Sequence, residues 1–452
     1  MSLDSLLEDL NNRKWKDERA EQYHEASRTE RNVSPMTPPE LRQLHTKLPW
    51  CRLCVSVLEE RLDIREISSP DVELTEYLVK VWKHNNADEK ASKLATDAME
   101  YGRSYLVITA GDDLPLMQVV SGRQMVHRIN VYTGQVEEAL RVYGDKGDRY
   151  AHYSPGKISY YIRNNGQWVH DPEAPKNEVE SSDQVPVFPF LSRAEIDDRW
   201  GRPEAKDIWS LQDAATRAAT DLTIAGSLMA LPQRILTGVE EGDLTNPDGT
   251  RASKDKIYMG RLLTLASETA GIHEFSAAQL QNYTTSLNAM TRQAAALMGV
   301  PLSVFGVSSD ANPTSGDAQR QDDMRLVRRV ERIARGFTPS WLAALRYIAD
   351  VYGDFGPDAD ISVIWVPPAE PTLQARADAV LKLSAVKVDA NSLYSRKALL
   401  LKLGETGEFI KQMLAEQDER DNDVVNRLMR GADGDAPTPT SIDNSGDDEN
   451  AS

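Results

Sequence analysis

Apolar positions along the chain recur with two different periods, and the switch between them divides the sequence. The first thirty or so residues are polar with a helical rhythm and stop at the proline-rich run Ser34-Pro35-Met36-Thr37-Pro38-Pro39. A second helical stretch is expected over 41–62 and a third over 70–101, where Leu74, Leu78, Val81 and Trp82 mark one face. From Tyr101 the period drops to two. Runs at 104–109, 116–120, 125–131, 139–143, 159–163 and 167–170 are short and rich in Val, Ile and Tyr. Turn signals such as Gly111-Asp112-Asp113, Thr133-Gly134 and Asn164-Asn165-Gly166 separate them. The pattern predicts an antiparallel meander with one face on a core, followed by an acidic, proline-containing loop at 171–184.

Beyond Trp200 the helical period returns and sharpens. Ile208, Leu211, Ala215, Ala218, Leu222, Ala225 and Met229 alternate spacings of three and four, a seven-residue repeat that favours packing along a helical neighbour. Asp213, Arg217 and Asp221 run i, i+4 along the other side. An insert at 232–274 carries short β runs at 234–237 and 256–265 around the turn Asn246-Pro247-Asp248-Gly249. A second helix then repeats the rhythm at Leu280, Tyr283, Leu287, Met290, Ala294 and Leu297, and Gly299 with Pro301 stops it.

Two seam-bearing helices around a small β insert predict a helical hairpin with a β tip. A helix of about 23 residues is about 35 Å long, enough to hold that tip well away from the body. Ile208, Leu211, Leu222, Leu280, Leu287 and Met290 are the positions expected to pack the pair. A loop without periodicity follows at 301–315, then a long helix to about 352, with Thr314 or Ser315 as its cap and a break or kink at Pro339. A strand is expected at 361–366, and 370–430 reads as helical with breaks near 387–391 and 404–407. The fold class is α+β and mostly helical.

Composition narrows the functional classes. The chain has 452 residues, 27% of them charged, and a formal net charge of −18. Such a charge argues against holding nucleic acid on a generally basic face. No apolar run is long enough to span a membrane, and the polar start lacks the apolar segment of a secretory signal. Two cysteines cannot form a disulfide framework, so intracellular assembly is the expectation. The last residues, 432–452, carry six acids and no Lys or Arg, a composition expected to stay disordered.

Candidate chemistry is sparse. Cys51 and Cys54 have a C-x-x-C spacing, but no second pair completes a zinc site, and they fall inside a helical stretch. The histidines are scattered, and no phosphate-binding glycine loop or nucleophile elbow is present. Asp248 with Lys254 and Lys256 faintly suggests a metal-dependent nuclease, yet the turn around Asp248 accounts for the same residues. Arg320, Arg325, Arg328, Arg329, Arg332 and Arg335 make the start of the long helix basic. Because Asp317, Asp322, Asp323 and Glu331 lie among them, salt bridges within the helix or across a subunit contact fit better than a DNA contact. The chain therefore reads as a scaffold, with no catalytic, cofactor-binding or metal-binding residue identified.

The order of segments resembles one family. Tyr101-Gly102-Arg103-Ser104-Tyr105-Leu106-Val107-Ile108 leading into the meander is similar to the portal proteins of tailed double-stranded DNA bacteriophages, in their siphophage form. So are Val185-Pro186-Val187-Phe188-Pro189-Phe190 followed by Trp200-Gly201-Arg202-Pro203-Glu204, and Gly299-Val300-Pro301 with Asn312-Pro313-Thr314-Ser315-Gly316-Asp317-Ala318 and Arg320. Cys51-Arg52 with Glu59-Glu60-Arg61-Leu62 fits the family's N-terminal helix, and the likeness extends over roughly 15–430.

The resemblance implies a wing at 1–199, stem helices at 200–231 and 275–299, and a clip at 232–274. It also implies a tunnel loop at 300–315, a long helix and strand at 316–368, a helical crown at 369–431 and an acidic tail at 432–452. Tunnel-loop candidates are Ser303, Phe305, Ser308, Asp310, Asn312 and Thr314, and partner-binding clip candidates are Glu240, Glu241, Asp243, Asp248, Arg251 and Lys254. The implied protein is a structural ring, dodecameric in the virion, at one capsid vertex. Its implied partners are the terminase packaging motor, the head–tail connector, capsid and scaffolding proteins, and duplex DNA passing without sequence specificity. No cofactor and no membrane are implied. The alternatives are a nucleic-acid-processing enzyme and another capsid or tail structural protein.

Overall fold

In the computed structural model, residues 3–27, 44–144, 147–174, 178–196, 198–229, 234–237, 271–274, 280–307, 316–369, 373–388, 391–392 and 394–404 are described, with short pieces between 409 and 420. The chain divides into two compact units, 1–368 and 369–452.

The first unit opens with helix α1 (Leu3–His24). The expected second helix is shorter than its pattern: α2 spans Trp50–Glu59, because Pro49 fixes the backbone just before it. Strand β1 (Ile64–Ser68) follows. The expected helix at 70–101 is two helices, α3 (Val72–His84) and α4 (Ala87–Tyr101). Asp71 starts α3 by accepting from the amides of Glu73 and Leu74, at 2.9 and 3.4 Å. Asn86, in the left-handed region, separates the two. Leu74, Leu78, Val81 and Trp82 are all buried, as their spacing predicts.

The β region is two sheets rather than a single meander. Strands β2 (Arg103–Thr109) and β3 (Leu116–Ser121) form one sheet with the returning strand β10 (Val187–Leu191), in the order β10-β2-β3. The other sheet takes β4 (Met125–Ile129), β5 (Val136–Tyr143), β6 (Arg149–Ser154), β7 (Lys157–Asn164) and β8 (Gln167–His170) in sequence order. Short β9 (Glu178–Glu180) pairs with β7.

Strand β2 is covered on both faces, which explains its unbroken apolar run. Leu106 and Ile108 join the main core, while Tyr105 and Val107 join a second cluster with Met125, Ala139 and Tyr153 between the sheets. The larger sheet is covered on its other side too, where Leu6, Leu7 and Leu10 of α1 pack on Val126 and Leu140.

A single turn of 3-10 helix (Lys206–Ile208) leads into α5 (Trp209–Met229). Strands β11 (Arg234–Thr237) and β12 (Gly271–Glu274) pair antiparallel, and α6 (Gln281–Met298) returns alongside α5. Another 3-10 turn (Leu302–Phe305) precedes α7 (Gly316–Gly353). Of the break or kink expected at Pro339, the break does not occur: α7 continues through that residue as one helix. The neighbouring Thr338 hydroxyl donates to the Ala334 carbonyl at 2.8 Å, and Arg335 and Pro339, the two residues of the lost hydrogen bond, lie on the exposed side of the helix. Strand β13 (Ser362–Trp365) closes the unit by pairing with β1.

The second unit holds α8 (Leu373–Ser384), a two-residue ladder of β14 (Lys387–Val388) with β15 (Asn391–Ser392), and α9 (Arg396–Leu403). The break expected near 387–391 is thus a small hairpin. Ser395 caps α9, and Gly404, with φ of +107°, ends it.

Candidate functional site

The helix pair α5–α6 and the junction at its base are the distinctive construction of the first unit. Burial is concentrated at the base. Ile208, Gln212, Ala215, Ala219 and Thr220 are buried near the start of α5, and Thr291, Ala294, Ala295 and Met298 near the end of α6. No residue from 281 to 290 is buried, and of 221–227 only Ile224 is. Of the positions expected to pack the pair, Ile208 is fully buried. Leu211, Leu222, Leu280, Leu287 and Met290 are half-buried, and Leu211, Leu287 and Met290 touch the main core. The seam therefore keeps part of its apolar surface open along its outer length.

The base of α5 is gripped by the first two helices. Tyr23 stacks on Trp209 with ring centres 4.5 Å apart, and its hydroxyl donates to Asp213 at 2.7 Å. Gln212 donates to the Tyr23 carbonyl and accepts from the Cys51 amide, both at 2.8 Å. Cys51 and Cys54 are helix positions facing this packing. Burial raises both thiols, Cys54 to about 12, so neither is a ready thiolate. Among the described residues no group of His, Cys, Asp and Glu is arranged to hold a metal ion.

At the foot of the pair sits a buried ion pair. Glu204 Oε1 accepts from Arg329 Nε at 2.7 Å, with side chains only 3% and 11% exposed, and Oε2 accepts from the Ser192 hydroxyl at 2.9 Å. Arg329 Nη1 also donates to the Met298 carbonyl at 2.5 Å, completing the last turn of α6. One guanidinium therefore ties α7, the end of α6 and the lead-in to α5 together. The Glu204 amide in turn donates to the Met99 carbonyl of α4 at 2.7 Å.

Two glycines make this crossing possible. Gly102 and Gly201 both have positive φ and lie back to back. A Cβ on Gly201 would come within 2.2 Å of the Gly102 carbonyl oxygen, and one on Gly102 within 2.7 Å of the Arg202 amide. Trp200, next to them, carries the guanidinium groups of Arg13 and Arg103 within 5.0 and 5.5 Å of its ring. Arg103 is fully buried and forms a two-pronged pair with Asp17 at 3.0 and 2.8 Å. Beside it the Tyr105 hydroxyl meets His127 Nδ1 at 2.9 Å, and burial lowers the His127 pKa to about 3, keeping the ring neutral.

Of the tunnel-loop candidates, Ser303 is exposed and Phe305 packs edge-on against Trp50 with ring centres 5.4 Å apart, anchoring the start of that segment to α2. Ser308, Asp310, Asn312 and Thr314 lie outside the described residues, as do the cap position Ser315 and the tail 432–452. The same holds for the clip candidates Glu240, Glu241, Asp243, Asp248, Arg251 and Lys254, and for the expected strand 256–265.

Of the acids expected to pair with the arginines of the long helix, Asp317 and Asp322 lie outside the residues whose side chains are described. Asp323 reaches Arg61 rather than a neighbour on its own helix, and Arg329 turns inward to Glu204. Among the described residues, no carboxylate lies within ion-pair distance of Arg325, Arg328, Arg332 or Arg335. Reasoning from sequence missed the roles of Glu204, Arg329, Gly102 and Gly201. A helical wheel offers a partial signal: Arg329 sits about 40° round from Arg325, toward the buried side of α7.

Comparison with known proteins gives a consistent match. The family described as phage portal protein, SPP1 Gp6-like, matches residues 60–423. The chain is similar to the portal protein of Mycobacterium phage D29, with 30% identity over 382 residues that cover 80% of this chain and 77% of the relative. It is also similar to the portal protein of Mycobacterium phage L5, 29% identical over 379 residues with the same coverage of 80% and 77%. Among solved structures, a chain from the virion of a native gene transfer agent particle aligns over 85% of this chain and 98% of its own length, at 16% identity and a TM-score of 0.45.

Proposed function

This chain belongs to the SPP1 Gp6-like family of phage portal proteins, structural components of the virion, and on that premise we propose that its copies close into a ring around a channel for double-stranded DNA. In this reading the ring holds twelve copies in the virion and occupies a single capsid vertex. DNA is driven in through it by the terminase motor and leaves through it at ejection, and the head–tail connector docks on it. It assembles in the host cytoplasm with capsid and scaffolding proteins.

The observation that carries the reading is the burial pattern of α5 and α6. Leu222 of α5, and Leu280 and Leu287 seven residues apart along the returning helix, are only half-buried within one chain. Apolar surface of that kind is stabilised when helix pairs from neighbouring copies lie side by side. A head-to-tail contact that closes on itself hides it without leaving an open filament. The helix pair then forms the stem, 232–274 the clip, 300–315 the tunnel loop, 1–199 the wing and 369–431 the crown. The formal charge of −18 per copy suits a conduit, because a channel that neutralised many phosphates would hold its cargo instead of passing it.

Negative-stain images and sedimentation of the purified chain test this directly. Particles of about twelve or thirteen copies with a central hole are expected. A chain that stays monomeric at every salt concentration refutes the ring.

A further inference from the structure

The outward side of α7 carries a row of positive charges that no carboxylate pairs among the described residues. Arg325, Arg328, Arg332 and Arg335 are exposed and follow one another at spacings of three, four and three. On a helical wheel they fall within a sector of about 80°, centred nearly opposite the buried side of the helix, and they extend over about 15 Å. The buried side is set by Leu326, Val330, Ile333 and Phe337. The one arginine of this stretch seen to pair, Arg329, lies off the stripe and points to Glu204.

Arg335 donates to the Glu331 carbonyl at 3.3 Å, but among the described residues the row has no carboxylate partner, and on a chain of net charge −18 it is a surface suited to an acidic counterpart. Two chemistries supply one, a duplex backbone or a protein face rich in carboxylates. The surroundings favour protein. Met324 and Leu297 beside the stripe are 46% and 52% exposed, and Glu331 stands exposed one turn along. At the head of the stripe, Arg325 borders a shallow pocket that is also lined by Ala295, Ala296, Pro301 and Leu302. Arginine and methionine with apolar neighbours and no lysine is the composition of a protein interface, whereas an exposed carboxylate flanking the row repels phosphate.

We propose that the Arg325–Arg328–Arg332–Arg335 stripe receives a carboxylate-bearing face of a second copy of this chain, forming one half of the contact between neighbours. The inference rests on the ring reading and adds its electrostatic component. Copies that are each strongly negative repel one another unless a local basic row meets a local acidic one. Assembly then weakens with salt more than apolar seams alone would allow.

The test uses the full chain. Reversing two exposed charges, R328E with R332E, is expected to leave the circular dichroism and unfolding midpoint of the chain unchanged, while the assembled fraction at fixed concentration falls at least about tenfold. In R332K, a zero-length carbodiimide cross-linker applied to mixed isotope-labelled and unlabelled chains is expected to join Lys at this position to a carboxylate of the other chain. Intact rings from the double reversal overturn the proposal, as do cross-links at 332 found only within one chain. Rings that stay intact but hold a short DNA duplex less well assign the stripe to the phosphate backbone instead. A wild-type chain that never assembles defeats the ring reading itself, an outcome distinct from a wild type that assembles and a reversal that makes no difference.

Discussion

Replacing Arg329 with alanine leaves the Glu204 carboxylate inside the fold with a single remaining side-chain donor, the Ser192 hydroxyl. Both partners are nearly inaccessible, so water cannot take over the role of the guanidinium. Removing one member of such a pair costs about 3–5 kcal/mol, chiefly because the other charge is stranded. The last carbonyls of α6 lose their donor as well, a charged hydrogen bond of about 1.5–3 kcal/mol that solvent at the helix end recovers in part. The double replacement Glu204→Gln with Arg329→Met removes both charges and is expected to cost less than Arg329→Ala alone. The coupling between the two sites is then about 2 kcal/mol or more.

Urea unfolding at one fixed protein concentration measures the global effect, since assembly would otherwise shift the midpoint. Limited proteolysis measures the local one. Because Arg329 fastens the foot of the helix pair, cleavage within 209–229 and 281–298 is expected to accelerate by about two orders of magnitude if opening costs some 3 kcal/mol less. A cost under about 1 kcal/mol for Arg329→Ala, or strict additivity in the double replacement, refutes the junction as described.

Three further outcomes are expected. Gly201→Ala is compared with Gly134→Ala, since both positions have positive φ but a Cβ at Gly134 meets nothing within 4 Å. Gly134→Ala costs about 1–2 kcal/mol by urea unfolding, Gly201→Ala loses soluble folded protein, and equal effects contradict the back-to-back crossing. His127, held to about pKa 3 by burial, stays neutral in the folded chain while the unfolded chain takes up a proton below about pH 6.5. Stability therefore falls with acidification by about 1.4 kcal/mol per pH unit between those values on its account. Asp97 and Glu100, raised by burial to about 6 and about 7, act in the opposite sense, gaining stability as pH falls from those values. The quantity to measure is the difference between wild type and His127→Gln, whose slope is expected to be shallower; identical slopes count against a buried neutral ring. Deleting 240–260 is expected to leave rings intact in electron micrographs while abolishing docking of the packaging motor or connector, and dissolved rings would show that this insert closes the assembly.

Local patterns carried much of the fold, because each is decided within a few residues. Asp71 and Leu74–Trp82 announce α3 through a cap and a 3.6-residue rhythm, and 234–237 announces its strand. Where sequence reading went astray, distant partners decided. The runs at 104–109 and 116–120 look like the start of one meander, but β10 returns from 187–191 and draws them into a separate sheet. Pro339 suggests a break, yet α7 is held on both sides of it by packing of Phe337 and Trp341. At the candidate site, the seam was legible from its repeat. Its foot was not, because the helical wheel only turns Arg329 toward the buried side and says nothing of its partner until Glu204, 125 residues away, is placed beside it.

The placement of burial along α5 and α6 has a mechanical consequence. Within a single chain, fastened at one end and without a buried residue from 281 to 290, the helix pair behaves as a cantilever. A sideways push at the tip produces its largest bending moment at the foot, where the Glu204–Arg329 pair and the Gly102–Gly201 crossing lie. Stiffness against such a push is then set by a few fully enclosed polar contacts and two residues without side chains. The length of the helices themselves only multiplies the torque those contacts must bear.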